Sequence, residues 1–161
     1  MLSNSLHIHR NARALWMLAL FLVVVLATGL FIGTQSPPGE WYQNLQKPVF
    51  NPPDWIFPPV WTVLYIFIAV AGWRTFRTAP RSAAMVLWAL QMLLNWIWSP
   101  VFFTLHMVWP ALAIIVLLLL TILAFTRDRW HHDRPAALLF SAYAAWVGFA
   151  AVLNGAIAFL N

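Results

Sequence analysis

Residues 107–125 read MVWPALAIIVLLLLTILAF, 19 consecutive positions without a charge. About 20 helical residues cross the hydrocarbon of a bilayer, so this run has the length and composition of a transmembrane helix. Four further uncharged runs flank it, at 14–33, 55–73, 83–105 and 136–160. The runs are unbroken, whereas a membrane barrel would alternate polar and apolar residues. In lipid each backbone amide must be satisfied within its own segment or a closed barrel. The expected fold is therefore an all-α integral membrane protein, one domain over 1–161, with five transmembrane helices.

Composition agrees. The chain is 63% hydrophobic and 8% charged, against about 25% charged in an average soluble domain. The first run follows Arg10 and Arg13, as a secretory signal would. It exceeds the ~7–15-residue core of such a signal and lacks a small-x-small cleavage site, so it reads as a retained span. Cysteine is absent, which excludes disulfide and thiol chemistry.

The net charge of +5 invites a nucleic-acid reading, but the positions of the basic residues exclude it. Arg10 and Arg13, then Arg74, Arg77 and Arg81, then Arg127, Arg129 and Arg134 fall on one side of a five-span chain, and Lys47 alone on the other. That bias predicts a cytoplasmic N-terminus and an outside C-terminus, most simply in a bacterial inner membrane. Anionic lipid is the expected partner of those arginines.

The first connection, about 34–54, is the long one. Together with the start of the second span it reads WYQNLQKPVFNPPDWIFPPVW over 41–61, with five prolines in 21 residues. Each proline fixes its own φ and extends the residue before it. The segment should be a stiff lid over the helix ends, with Asp54 as a cap for the second helix. The third connection is only Leu105, His106 and Met107, which makes its two helices antiparallel neighbours. Gly29-Leu-Phe-Ile-Gly33 fits either a close helix approach or a glycine-rich helix end.

No Asp, Glu, Lys, Arg or His falls mid-span, which argues against proton- or sodium-coupled transport and leaves no axial histidine for a buried haem. His131 and His132 beside Asp133 read as an interfacial charge cluster before a metal site. Neutral polar residues and aromatics share helix faces instead. At about 100° per residue, Trp88, Gln91, Asn95 and Trp98 align on the third span. Tyr143, Trp146, Ala150, Leu153 and Asn154 align on the fifth, and Trp61, Tyr65, Ile68 and Gly72 on the second. Amides facing lipid are costly, so Gln91, Asn95 and Asn154 should face inward. An apolar pocket with a few placed polar groups suits a flat aromatic ligand.

These residues carry a resemblance. Trp41-Tyr42, Leu45-Gln46-Lys47-Pro48, Asn51-Pro52-Pro53, Pro59-Val60-Trp61 and Leu64-Tyr65 resemble the signature of the TspO/translocator protein family, the peripheral benzodiazepine receptors. The likeness continues through Gln91, Leu94-Asn95-Trp96, Trp98, Pro100 and Phe102-Phe103, and through Tyr143, Ala145-Trp146 and Leu153-Asn154. It implies a five-helix protein, often a homodimer, that binds porphyrins such as protoporphyrin IX and, in some members, sterols and aromatic drugs. It implies no resident cofactor; the porphyrin is ligand. Trp61 and Trp146 correspond to the ligand-facing tryptophans, Asn95 and Trp98 to the third-span wall, Tyr42 and Phe57 to lid and second-span contacts, and Ala150 to a small residue that sets fit. Two departures stand out. Phe50 replaces the usual tryptophan after Lys-Pro, and the C-terminal end lacks the tyrosine and basic residue of the animal sterol pattern.

The leading expectation is a tetrapyrrole-binding sensor, carrier or scavenger. In that reading rings stack on Trp61 and Trp146, Gln91 and Asn95 offer hydrogen bonds, and ligand carboxylates reach Lys47 or loop amides. Competing expectations are light-dependent porphyrin degradation involving the same two tryptophans, which would need no conventional acid–base pair, and passage of lipid, sterol or another small molecule.

Overall fold

The computed structural model describes the backbone of residues 2–161 and the side chains of residues 13–161; the Arg10 side chain lies outside the described residues. Six α-helices follow in order: α1 (Leu2–Gln35), α2 (Glu40–Asn44), α3 (Phe57–Thr78), α4 (Ala83–Ser99), α5 (Val108–His132) and α6 (Arg134–Leu160). A 3₁₀ turn at Asp54–Ile56 leads into α3, and a π-turn at Pro100–Thr104 extends α4. Five helical stretches are long and apolar enough to span a membrane: Arg13–Gln35, Asp54–Thr78, Ala83–Thr104, Val108–His132 and Arg134–Leu160.

The spans outrun the uncharged segments that announce them, most of all at the arginine end. There α3 and α5 continue through Arg74, Arg77, Arg127 and Arg129. Helical hydrogen bonding does not stop where hydrocarbon stops, and long basic side chains reach the interface from a continuing helix. The first connection is shorter than expected and holds its own helix, α2, whose Tyr42 is buried.

Side by side the helices run α1, α3, α6, α5, α4, and α4 returns to touch α1. The α5–α6 pair forms the densest seam, where Phe125 and Phe140 approach to 4.0 Å between ring centres. Between α3 and α4, a backbone without a side chain at Gly72 receives the Trp88 indole, whose N–H donates to the Ile68 carbonyl at 2.9 Å. Phe21 of α1 covers the same indole at 5.2 Å.

Two ends are fixed by specific chemistry. Asp133 bridges α5 to α6 and accepts from the Ala136 amide at 3.4 Å as an N-cap. It also receives Arg74 of α3 in a two-pronged ion pair, with the shortest contact at 2.8 Å. His132 turns back to the Asp128 carbonyl, so two of the three residues of the His-His-Asp triplet, His132 and Asp133, are taken up by helix-end contacts. At the other end, Pro100 has no N–H to give the Trp96 carbonyl. The ladder widens there to the Leu105 N–H···Pro100 carbonyl bond at 2.9 Å. His106 then takes φ 57°, a left-handed conformation for which histidine is enriched, and α5 can begin antiparallel to α4.

Candidate functional site

Beneath the lid lies a cavity of about 560 Å³, walled by α1, α3, α4 and its π-turn, and α6. Its rings are Phe57, Trp61 and Tyr65 from α3, Trp98, Phe102 and Phe103 from α4 and the π-turn, and Trp146 from α6; Tyr42 of α2 closes the top. Widening at Pro100 turns Phe102 inward, where it stacks on Trp98 at 5.3 Å and 19°.

Ten of the twelve sequence-nominated residues line this space: Tyr42, Phe57, Trp61, Tyr65, Asn95, Trp98, Trp146, Ala150, Leu153 and Asn154. Gln91 and Tyr143 do not. Gln91 is fully buried one turn below the floor, its amide N–H₂ held by the Trp88 carbonyl at 2.9 Å. Facing inward brought it to the packed core, because the cavity occupies only the lid-side half of the bundle. Tyr143 stands behind the wall and packs edge-on against Trp61 at 6.4 Å.

The polar groups of the cavity are already organised. The Tyr65 hydroxyl donates to Asn95 Oδ1 at 3.2 Å, and Asn95 Nδ2 donates to the Tyr143 oxygen at 3.0 Å. One turn nearer the lid on α4, Trp98 Nε1 donates to Asn154 Oδ1 at 3.2 Å, and Asn154 Nδ2 donates to the Val108 carbonyl at 3.1 Å. Each amide thus spends donor and acceptor on the protein and fixes a neighbouring ring, as buried polar groups require. The Trp146 N–H differs: it is buried with no acceptor in the protein.

The lid is latched at several points. Tyr42 donates to Asn51 at 3.4 Å, and Gln43 Nε2 donates to the Asp54 carboxylate at 3.0 Å. Asp54 therefore ties the lid to the start of α3; its side chain does not cap that helix. Trp41 lies flat on His106 at 4.2 Å and 15°. Lys47 sits over the Tyr42 ring at 4.6 Å and donates to the Gln43 carbonyl. It does not line the cavity, so it is not placed to meet a ligand carboxylate there. Burial, and secondarily the Asp54 charge, push the Tyr42 phenol above its ordinary pKa, which keeps it neutral under the lid. Phe50, where a tryptophan was expected by resemblance, is half exposed and edge-on to Phe149 at 6.4 Å.

The tightest latch is at Asn161. Its Oδ1 accepts from the Gln46 amide at 2.9 Å and its Nδ2 donates to the Gln46 carbonyl at 3.1 Å, so one side chain pairs with a lid residue as a strand would. Asn161→Ala removes both bonds, each worth about 1 kcal/mol net. It should speed amide hydrogen exchange over residues 40–50 by about ten-fold and leave α5 and α6 unchanged; equal protection in the variant would show that the latch does not hold the lid.

Sequence reasoning missed the α1 wall. Gly29, Gly33 and Ser36 line the cavity, and the Tyr65 ring occupies the space a Cβ at Gly29 would need. The glycine pair therefore serves contact within the chain at Gly29, and only this pattern in α1 signalled it.

Comparison with known proteins agrees with this architecture. Residues 16–160 match the TspO/MBR family. The tryptophan-rich protein TspO of Chlorobaculum tepidum is 41% identical over 157 residues, covering 89% of this chain and 95% of that protein. The tryptophan-rich sensory protein of Cereibacter sphaeroides is 36% identical, covering 84% and 87%. The translocator protein of Bos taurus is 38% identical, covering 86% and 87%. Similarity of this depth along nearly the whole length of several relatives, on a fold with the expected five spans, makes this chain an integral membrane protein of the TspO/MBR family.

Proposed function

We propose that the chain binds a porphyrin-like tetrapyrrole of the protoporphyrin IX class in the cavity beneath the lid, as a membrane sensor, carrier or scavenger. The observation that carries this reading is the cavity itself. Its volume is within the about 300–1,000 Å³ of small-molecule sites, and its walls are aromatic rings with few polar atoms. A flat macrocycle stacks on such rings with little polar desolvation. Asn154 holds the Trp98 N–H and the Trp146 N–H is buried, so these two indoles meet a ligand through their ring surfaces. Relatives named as a sensory protein and as translocator proteins favour a sensing or transport role.

The seven described arginines lie at the end away from the lid, whose one basic residue is Lys47. This supports an inner-membrane protein with a cytoplasmic N-terminus and the lid outside. The family resemblance supports a homodimer.

Adding protoporphyrin IX to the reconstituted protein should quench its tryptophan fluorescence saturably. Trp146→Phe keeps a ring but loses the N–H and some stacking area, about 1 kcal/mol or a five-fold weaker Kd. Unchanged affinity would remove Trp146 from the site. A second reading, light-driven porphyrin breakdown with oxygen as oxidant, is favoured by the presence of both Trp61 and Trp146 in the lining of one cavity. Illuminated samples of the two Phe variants should then bleach porphyrin more slowly than the parent when all are saturated with ligand.

A further inference from the structure

The cavity is bounded by the lid above and by four helix seams, and all but one of these boundaries are fastened; α3 meets α6 through Phe57, edge-on to Trp146 at 5.9 Å. The roof is held by Asn161 on Gln46, Gln43 on Asp54 and the Trp41–His106 stack. The α4–α6 wall is joined by Trp98 and Asn154 at 3.2 Å. The α1–α4 seam is pinned near its lid end by the Thr104 hydroxyl, which donates to Ser36 at 3.0 Å, with Ser36 buried.

The remaining boundary, α1 against α3, is fastened only from the arginine end up to Gly29 and Tyr65. There the Trp73 N–H donates to the Ala14 carbonyl at 3.0 Å, Phe21 packs on Phe76 at 5.9 Å, and Gly29 receives the Tyr65 ring. Toward the lid the contacts stop. A Cβ at Gly33 would meet nothing within 4 Å, and Leu30 is 70% exposed. Across the gap Pro58 and Thr62 of α3 are exposed. All four residues nevertheless line the cavity, so the space between them is continuous with it. Among the described residues no hydrogen bond joins α1 to α3 above Gly29.

The lips of this gap suit hydrocarbon. Thr62 donates its hydroxyl to its own helix at the Pro58 carbonyl, 2.8 Å, and Thr34 does the same to Phe31 at 2.7 Å. Internal bonding of this kind leaves no hydroxyl needing water. We propose that the seam between α1 and α3 above Gly29 and Tyr65 is a lateral portal, through which an apolar ligand dissolved in the bilayer exchanges with the cavity while the lid stays latched. The proposal rests on the cavity being the ligand site and adds the route. Membrane partitioning concentrates a flat apolar ligand at the portal, and the path requires no opening of the roof latches.

The test follows ligand exchange in stopped flow, with protoporphyrin IX delivered from donor vesicles to protein reconstituted in phospholipid vesicles and read by tryptophan quenching. Gly33→Phe and Thr62→Phe narrow the seam from either side at positions with room for a ring. Each should lower the dissociation rate by about ten-fold along with the association rate, because an obstructed path raises the barrier in both directions, whereas a ring that merely intruded on the site would speed dissociation. Asn161→Ala, which loosens the roof, should leave both rates unchanged. Unaltered rates in the two seam variants, or faster exchange in Asn161→Ala, would overturn the portal in favour of the roof. A weaker Kd without slower dissociation would also overturn it, by showing that the new rings fill the site. No quenching in the parent chain would overturn the binding reading itself, and that result is visible before any variant is made.

Discussion

Gly72→Ala should destabilise the protein in detergent, although glycine to alanine ordinarily favours a helix by about 1 kcal/mol. The Trp88 indole occupies the position of the missing methyl group. It cannot easily retreat, because the Ile68 carbonyl holds its N–H and Phe21 lies on its other side. Adding even one carbon must therefore push α3 from α4 or break that hydrogen bond, at a cost of about 1–3 kcal/mol. Gly72→Leu should exceed the upper end and reduce the folded yield. Gly148 on α6 is the control: a Cβ there meets nothing within 4 Å, so Gly148→Ala should be neutral or stabilising. If the two alanine variants unfold at the same temperature, the Trp88 contact does not define the α3–α4 spacing.

The second large effect belongs to Asp133, at the opposite end from the cavity. Its carboxylate is nearly buried, with 6% of the side chain exposed, and it serves both Arg74 and the first turn of α6. Asp133→Ala removes the pair and the cap together. A lost cap costs about 1 kcal/mol, and breaking a buried pair about 3–5 kcal/mol. Arg74 retains 37% exposure of its side chain and turns to water or lipid headgroups when released, which brings the expected total to about 2–4 kcal/mol. Asp133→Asn keeps an acceptor for the Ala136 amide and should lose roughly half as much. Combining Asp133→Ala with Arg74→Ala should cost less than the sum of the two, since the pair is already broken. Strict additivity would show that the ion pair contributes nothing, and equal losses in the Asn and Ala variants would show that the cap contributes nothing. Porphyrin Kd should be unchanged in the folded fraction, because neither residue touches the cavity.

Both cases show what helical periodicity conveys and what it omits. Periodicity placed Trp61 and Tyr65 on one face of α3 with Ile68 and Gly72, yet the first two line the cavity and the last two seat Trp88. One stripe changes task along its length because the bundle is packed tightly at the arginine end and opens toward the lid. The same change of depth separates Asn95, in the wall, from Gln91, one turn below it. Inwardness is a property of a helix face, while reaching the cavity depends on height along the bundle. The π-turn was equally hidden, although its cause, Pro100, was in view.

By itself the amino-acid sequence determined five spans, their alternating direction, a stiff aromatic lid after the first, and the tryptophans and amides that turn inward. These follow from local quantities: an unbroken apolar run cannot stay in water, an amide is costly in lipid, and a proline fixes its own φ. Only the tertiary structure decided where the inward faces part. The cavity, the α1 wall and the open seam above Gly29 depend on helix approach, set by the Tyr65 ring against Gly29, 36 positions away along the chain, and by Trp88 against Gly72, 16 positions away. Contacts between residues so distant in sequence follow from how the helices cross, a geometry that no single run of residues contains.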